Sequence, residues 1–295
     1  MTRRGLAALF IFLFAVSGCG LWPGGARPGG SLWGSRQPKV ALVLGGGAAR
    51  GFAHVGVIRV LDRQKIPIHM IVGANTGGLI GALYADRKSA SELERLALTL
   101  EERDLFDYNF ITPTQGFARG ERLEDFVLKQ FTTKDIERLT IPFAAVATDL
   151  EKGEAVALET GSIARALRAS NAIPGIFGPV SHQGRLLVDG GVLDSVPVDV
   201  ARRLGADIVI AVDLSDGTPA GQANNIFDTI AQSLFLAARQ GAEARLKQAD
   251  VVIRPKLGSA GLIDFTRKKE LLARGMEAAE QALPAIRAKL GVKQN

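Results

Sequence analysis

Residues 71–78 read Ile-Val-Gly-Ala-Asn-Thr-Gly-Gly, a glycine-rich stretch between two apolar segments. The apolar run 66–72 predicts a strand before it, and the apolar periodicity from Leu79 onward predicts a helix after it. A strand, a tight glycine turn and a helix form the nucleophile elbow of serine hydrolases, which carries Gly-x-Ser-x-Gly. Gly73 and Gly77 stand at the elbow spacing, but Asn75 occupies the serine position. The sequence therefore predicts a hydrolase elbow that lacks its nucleophile.

A second glycine-rich turn, residues 45–51, reads Gly-Gly-Gly-Ala-Ala-Arg-Gly between a strand predicted over 39–44 and a helix predicted over 52–64. A dinucleotide-binding loop is excluded because the third glycine comes one residue late and no acidic residue ends the next strand. A P-loop is excluded because no Gly-Lys-Ser/Thr follows. Backbone N–H groups at a helix N-terminus stabilise developing negative charge, so this turn is interpreted as an oxyanion hole.

Strands alternate with helices along the rest of the chain. Further strands are predicted over 141–148, 155–158, 185–188, 207–212 and 251–253, and long helices over 226–248 and 266–290. This alternation predicts an α/β fold of three layers, in which helices cover both faces of a mainly parallel central sheet. Asp189-Gly190-Gly191 follows a predicted strand, at the carboxyl end where open α/β sheets place ligand-facing residues.

A Ser-His-acid triad is excluded by the order of residues in the chain. The three histidines, His54, His69 and His182, all precede Asp189, whereas an α/β-hydrolase needs its histidine after the acid. His54 falls in a predicted helix and His69 in a predicted strand, and we expect both to be structural. No Cys/His cluster or acidic loop with metal-ligand spacing occurs, so neither a metal nor another cofactor is predicted.

The order of glycine loop, elbow and Asp-Gly-Gly resembles that of the bacterial patatin-like phospholipases. The resemblance runs from about residue 39 to residue 284, and its motifs are residues 42–51, 54–57, 73–77, 169–175 and 188–191, with Pro197-Val198. It implies a lipid acyl hydrolase fold that uses a Ser–Asp dyad and has an apolar pocket for a membrane lipid or acyl ester. By the same resemblance Asp189 matches the general base. The amides of Gly46 and Gly47 match the oxyanion hole, together with Arg50 as the basic residue of that loop.

Asn75 stands where this family has its serine. A carboxamide has no proton that Asp189 can usefully remove, whereas asparagine tolerates the positive φ of an elbow better than most residues. Three hypotheses follow. The first is a non-catalytic protein whose pocket binds lipid or a protein partner. The second is an enzyme that works through Thr76 or Ser170, and the third is an inactivated variant of an active hydrolase.

The start of the chain resembles a bacterial lipoprotein. Arg3 and Arg4 precede an apolar run, residues 6–16, that has the length of a signal-peptide core and is too short to span a bilayer. The run leads to Val-Ser-Gly-Cys at 16–19, which resembles a lipobox, and Cys19 is the chain's single cysteine. The resemblance implies lipidation of Cys19. In bacterial lipoproteins an aspartate after the cysteine favours the inner membrane. Because Gly20 stands at that position, the resemblance indicates the outer membrane.

These features predict the domain organisation. We expect a lipoprotein signal peptide over 1–18, a tether rich in glycine and proline over 19–38, an acyl hydrolase domain over 39–290 and a tail over 291–295. A chain of 295 residues is long enough for one large α/β domain. The net charge of +6 comes without a lysine or arginine cluster, so no nucleic-acid partner is predicted.

Overall fold

The structure, a computed structural model, describes residues 37–107, 118–215, 226–261 and 264–291. Residues from Pro38 onward form one compact unit. The expected signal peptide, the lipidation site at Cys19 and all of the tether before Gln37 lie outside the described residues. Within the described ranges, no helix combines the length and the apolar character needed to cross a membrane.

The described part of the chain is built on one eight-stranded sheet. Its strands are β1 (Val40–Leu44), β2 (Met70–Ala74), β3 (Phe143–Asp149), β4 (Glu154–Leu158), β5 (Val180–His182), β6 (Arg185–Asp189), β7 (Ile208–Val212) and β8 (Val251–Ile253). They lie in the order β5-β6-β3-β2-β1-β7-β8, and β4 also pairs with β3. Five neighbouring strands, β3, β2, β1, β7 and β8, are parallel to one another. In contrast, β4 and β6 pair antiparallel with β3. The predicted, mainly parallel sheet is confirmed.

Helices cover both faces of the sheet. In the described residues they are α1 (Phe52–Arg63), α2 (Thr76–Arg87), α3 (Ala90–Thr99), α4 (Glu102–Leu105), α5 (Glu121–Gln130), α6 (Ile163–Ser170), α7 (Val198–Arg203), α8 (Ile226–Leu246) and α9 (Lys268–Lys289). The central strand β1 shows the two faces. Its residues Leu42 and Leu44 pack in one buried cluster with α1, α2 and α9, and Ala41 and Val43 pack in the other with α7 and α8. The three-layer α/β fold is therefore confirmed.

The strand that carries Asp189 runs antiparallel to β3, an orientation that the sequence pattern does not predict. β5 and β6 form a hairpin across Gln183 and Gly184, whose φ angles are 50° and 73°. Two central residues with positive φ are typical of the hairpin turn whose twist matches that of the flanking strands. β5 has only three residues, too few to show an alternating pattern in the sequence.

The antiparallel return of β6 brings Asp189 to the elbow. Asp189 pairs with Ala147 of β3, and the preceding residue of β3, Val146, pairs with Ala74 at the end of β2. The base position therefore lies two strands away from the elbow and level with it.

Candidate functional site

Asn75 lies at the sharp turn between β2 and α2. Its backbone has φ 54° and ψ −131°, a positive-φ conformation outside the left-handed helical region, which a non-glycine residue adopts only under strain. Glycines let the strand and the helix meet here, since a Cβ on Gly77 would lie 2.2 Å from the carbonyl oxygen of Leu44, and one on Gly73 would lie 2.6 Å from that of Gly77. The backbone thus has the form of a nucleophile elbow, with a carboxamide at its tip.

The side chain of Asn75 bridges the base position and the glycine loop. Its Nδ2 donates a hydrogen bond to Oδ2 of Asp189. Its Oδ1 accepts a hydrogen bond from the backbone N–H of Ala48, with an N···O distance of 3.1 Å. Because a backbone N–H can only donate, this contact sets the orientation of the amide, with oxygen toward the loop and nitrogen toward the carboxylate. Both ends of the carboxamide are therefore bound.

Asp189 is buried and held in place from several sides. Its side-chain Oδ1 accepts from the N–H of Gly191 over 2.6 Å, and its backbone carbonyl accepts from Oγ1 of Thr148 over 2.9 Å. Burial raises the pKa of Asp189 to about 7, while the hydrogen bonds from Asn75 and Gly191 act in the opposite direction. A carboxylate with a pKa near neutrality suits a general base. In this chain the group that donates to the Asp189 carboxylate is the side-chain amide of Asn75, where a serine hydrolase has a hydroxyl.

The glycine loop offers different donors from those expected. The N–H of Gly46 donates to the carbonyl oxygen of Ser195 over 2.8 Å, so it is occupied within the fold. The N–H of Gly47 has no acceptor among the described residues, and that of Ala48 binds Asn75. Of the next two N–H groups of the loop, that of Gly47 is thus free of acceptors in the described part of the chain, and that of Ala48 is occupied by Asn75. Ala48 was missed, although its position directly after three glycines, at the start of a short 3-10 turn, is a usable signal.

The side chain of Arg50, which the resemblance assigns to the oxyanion hole, binds backbone carbonyls and lies over the ring of Phe235, with Cζ 5.1 Å from the ring centroid. It is fully buried, and its guanidinium donates to the carbonyl oxygens of Ala260 over 3.0 Å and Leu214 over 3.4 Å. Its backbone N–H donates to the carbonyl of Gly47 over 3.0 Å. A buried guanidinium needs such acceptors to offset the loss of hydration. Arg50 therefore supports the loop from behind.

Two hydroxyl groups near Asn75 are engaged in holding the backbone. Oγ1 of Thr76 lies 2.9 Å from both the carbonyl oxygen of Ala48 and Oδ1 of Asn75. Oγ of Ser170 accepts from the backbone N–H of Asn75 over 3.1 Å and donates to the carbonyl of Val146 over 2.6 Å. Both contacts brace the elbow.

His54 and His69 bind backbone groups of the fold and are hydrogen-bonded to neither Asn75 nor Asp189. His54 is fully buried, and its Nε2 lies 2.7 Å from the carbonyl oxygen of Gly45. Burial lowers the pKa of His54 to about 4, so the ring is neutral and donates to Gly45. Nδ1 of His69 accepts from the N–H of Val40 over 3.0 Å, at the start of β1. Both residues have structural roles, as expected.

Two apolar cavities meet at Asn75. The first, here called the α8 cavity, lies between the turn after β6 and helix α8. The second, here called the aromatic cavity, lies between α1, α2, α4 and α5. The aromatic cavity is walled by Phe52, Phe106, Phe177 and Phe265. Both cavities are lined by Ala48, Asn75, Phe106 and Ile173, which form their junction.

Comparisons with known proteins agree with this fold. The family model described as patatin-like phospholipase matches residues 42–202, more than half of the 295-residue chain. An uncharacterized NTE family protein of Mycobacterium tuberculosis is 40% identical over 195 residues, which cover 65% of this chain and 53% of that protein. Patatin-like phospholipase domain-containing protein 6 of Homo sapiens is 35% identical over 183 residues, which cover 59% of this chain and 13% of that protein.

Lysophospholipase nte1 of Neurospora crassa is 28% identical over 279 residues, which cover 84% of this chain and 18% of that protein. The chain therefore matches about half the length of the mycobacterial relative and much smaller shares of the other two. Among solved structures, VipD from Legionella pneumophila has a TM-score of 0.60 at 15% identity, with 86% of this chain and 67% of that chain covered. This likeness shows a shared fold. Since the family model spans both the elbow at Asn75 and the base position at Asp189, the chain belongs to the patatin-like phospholipase family.

Proposed function

We propose that the domain binds a membrane lipid or acyl ester in its two cavities and does not hydrolyse it. The observation that carries this proposal is the Asn75 carboxamide, which donates to Asp189 and accepts from the N–H of Ala48. In a dyad hydrolase these two groups would serve the reaction. The carboxylate would remove the nucleophile's proton, and the loop N–H would stabilise charge on the ester oxygen. In this chain the side chain of Asn75 is hydrogen-bonded to both the Asp189 carboxylate and the Ala48 N–H.

The chemistry of the amide supports this proposal. Acyl transfer needs an atom that attacks the ester carbonyl while it loses a proton to the base. The amide nitrogen of Asn75 shares its lone pair with its own carbonyl, so it is a poor nucleophile, and Asp189 is far too weak a base to deprotonate it. In another serine hydrolase, loss of the nucleophile reduced kcat by on the order of 10⁶.

The family and the cavity walls support a lipid as the ligand. The names of the relatives refer to phospholipase and lysophospholipase. Burial of hydrocarbon against apolar side chains contributes about 0.8 kcal/mol for each methylene group. Two apolar cavities at position 75 suit a ligand with acyl chains.

An enzyme that acts through another nucleophile is the second candidate. The contacts of Thr76 and Ser170 argue against it, because each hydroxyl lies against backbone carbonyls and neither is hydrogen-bonded to Asp189. An inactivated variant of an active hydrolase is the third candidate, and in that case Asn75→Ser restores the activity of the original enzyme.

We also propose that lipidated Cys19 anchors the protein in the outer membrane, because the leader resembles that of a lipoprotein. Two or more acyl chains on the mature N-terminus would give stable attachment. Cell fractionation of a Cys19→Ser variant tests this. Release from the membrane fraction is the expected result, and unchanged fractionation would rule out this anchor.

Binding and hydrolysis of one fluorescent acyl ester, measured on the same purified full chain, test the proposed function. We expect saturable binding by the wild type without release of fatty acid. Hydrolysis that disappears in an Asp189→Asn variant would show that the dyad base still works with some nucleophile. Absence of binding would contradict the lipid-binding role.

A further inference from the structure

A buried pair of carboxyl groups lies between the turn after β6 and the helices α7 and α8. Asp194 is 1% exposed, and its backbone N–H donates to the carbonyl of Gly190 over 2.8 Å, which closes that turn. Asp199 faces it from the first turn of α7. Arg245 of α8 has its Nε 3.2 Å from Oδ1 of Asp194 and 3.9 Å from Oδ1 of Asp199. Three elements therefore meet at these side chains.

The oxygen atoms of the pair are arranged to share one proton. Neither carboxyl oxygen of Asp194 has a hydrogen-bond donor among the described residues, and the same holds for Oδ1 of Asp199. Oδ2 of Asp199, in contrast, accepts from Arg203 over 2.5 Å. Two ionised carboxylates in contact repel each other, and buried oxygens without donors are costly. A proton on Asp194 that is donated to Asp199 removes both costs.

The electrostatic surroundings of the pair agree with this location of the proton. Burial raises the pKa of Asp194 to about 8, and the hydrogen bond and negative charge of Asp199 act in the same direction. Burial also acts to raise the pKa of Asp199, but its hydrogen bonds with Asp194 and Arg203 outweigh burial and lower it. The charged groups that face Asp194 are Asp199 and Arg203 from α7 and Arg245 from α8. At neutral pH Asp194 is therefore the protonated member of the pair.

The residue that follows Asp194 connects the pair with the ligand site. The carbonyl of Ser195 accepts from the N–H of Gly46 in the glycine loop over 2.8 Å. Its Oγ donates to the carbonyl of Ala238 on α8 over 3.3 Å. Ser195 and its neighbour Val196 both line the α8 cavity. A displacement of Asp194 is thus passed through Ser195 to the glycine loop and to the cavity wall.

We propose that Asp194 and Asp199 are positioning residues, which share one proton and thereby hold the turn after β6, the glycine loop and α8 in the arrangement that forms the α8 cavity. Loss of the proton leaves two carboxylates in contact at a buried site, and Arg245 offsets only part of their repulsion. The repulsion displaces the turn from α7 and shifts Ser195. The effect on ligand binding rests on the proposed lipid-binding function, whereas the effect on the glycine loop does not.

NMR of the side-chain carboxyl carbons of aspartate, in the purified full chain, tests the shared proton. The signal of Asp194 is identified by its absence from an Asp194→Asn variant. We expect this carboxyl to be protonated at about pH 6 and to titrate at about pH 8. In Asp199→Asn its pKa should fall, because the neighbouring negative charge is gone. An Asp194 carboxyl that is ionised at about pH 6, or a pKa that Asp199→Asn leaves unchanged, would overturn the inference.

Amide hydrogen exchange at Gly46 tests the positioning role without a ligand. Asp194→Asn keeps the shape of the side chain, and its amide donates to Asp199 at every pH. We expect wild type and Asp194→Asn to exchange equally at about pH 6, and the wild type to exchange faster at about pH 9. Asp125→Asn is the control, because Asp125 is exposed on α5 and lines neither cavity, and it should behave as the wild type does. Equal exchange of wild type and Asp194→Asn at about pH 9 would contradict the positioning role.

The affinity for a fluorescent acyl ester, measured across the same pH range, extends the test to the cavity. Asp189 titrates in both wild type and Asp194→Asn, so its effect cancels in the ratio of their affinities. At about pH 9 about a tenth of wild-type molecules keep the proton on Asp194, so the wild type should bind about tenfold more weakly than Asp194→Asn. A ratio that does not change with pH would overturn the inference and leave lipid binding in place. If neither protein binds the ester, the proposed function fails, and the NMR and exchange measurements still decide the inference.

Discussion

Asn75 donates its side-chain N–H to the buried carboxylate of Asp189. The same amide accepts from the glycine loop through Ala48, so three chain segments meet at one side chain. Buried polar groups stabilise a fold when each finds a partner. The two residues that the family resemblance assigns to a catalytic dyad thus form a closed hydrogen-bond network in this chain, beside an apolar cavity.

The burial of Asp189 predicts a pH-dependent stability. Burial raises its pKa to about 7, whereas an unfolded aspartate titrates near about 4. Below about pH 4 both states are protonated. As the pH rises from about 4 toward 7, Asp189 ionises in the unfolded state before it ionises in the folded state. The unfolding free energy therefore falls over this range, until the pH passes the folded pKa. An Asp189→Asn variant cannot ionise, and relative to wild type it should gain up to about 4 kcal/mol in unfolding free energy between about pH 4 and pH 8.

Urea unfolding of both proteins across this pH range measures the difference. All other titrating groups are present in both proteins and cancel to a first approximation. A stability difference that does not change with pH would show that the pKa of Asp189 is the same in the folded and the unfolded state, in disagreement with its burial.

The close approach of β1 and α2 predicts that Gly77 tolerates no side chain. A Cβ at Gly77 would lie 2.2 Å from the backbone oxygen of Leu44, which cannot move without distorting the sheet. We expect Gly77→Ala to lower the unfolding free energy by more than about 3 kcal/mol. Gly241→Ala in α8 is the control, because its nearest contact is the flexible end of Arg245 at 3.1 Å. Alanine in a helix should leave that variant as stable as wild type or up to about 1 kcal/mol more stable. Equal effects of the two substitutions in urea unfolding would refute the packing argument.

Thr76 is expected to support the elbow without acting as a nucleophile. Its hydroxyl lies 2.9 Å from the Ala48 carbonyl and from Oδ1 of Asn75. Thr76→Val should therefore cost about 1 kcal/mol in unfolding free energy and leave lipid binding unchanged. Thr99→Val, on an exposed part of α3, should have a smaller effect. Wild-type ester hydrolysis that is lost in Thr76→Val alone would identify Thr76 as a working nucleophile.

The elbow could be predicted from the sequence because the residues that form it are close neighbours in the chain. The spacing of Gly73 and Gly77 around Asn75, between an apolar run and a periodic segment, requires a strand, a turn and a helix whatever the rest of the chain does. The start of β2 was less well predicted. Pro67 has no N–H to donate, and pairing with β1 begins only at the N–H of His69, which donates to the carbonyl of Val40 over 2.8 Å.

Features that depend on distant parts of the chain were not predictable from pattern. Which loop N–H groups are free depends on Ser195, whose carbonyl accepts from Gly46. The position of Arg50 depends on the carbonyl groups of Leu214 and Ala260. The aromatic cavity joins rings that lie far apart in sequence, and no local period marks them. Such contacts follow from the tertiary fold.

Labelling with a fluorophosphonate probe shows whether Asn75 alone separates this site from a working dyad. The wild type and Asn75→Ala, which frees the N–H of Ala48 without adding a nucleophile, should both remain unlabelled. Asn75→Ser should be labelled at position 75, as identified by peptide mass spectrometry, because its hydroxyl would face Asp189. Labelling of the wild type at any residue of the domain, or an Asn75→Ser variant as inert as the wild type, would contradict the account.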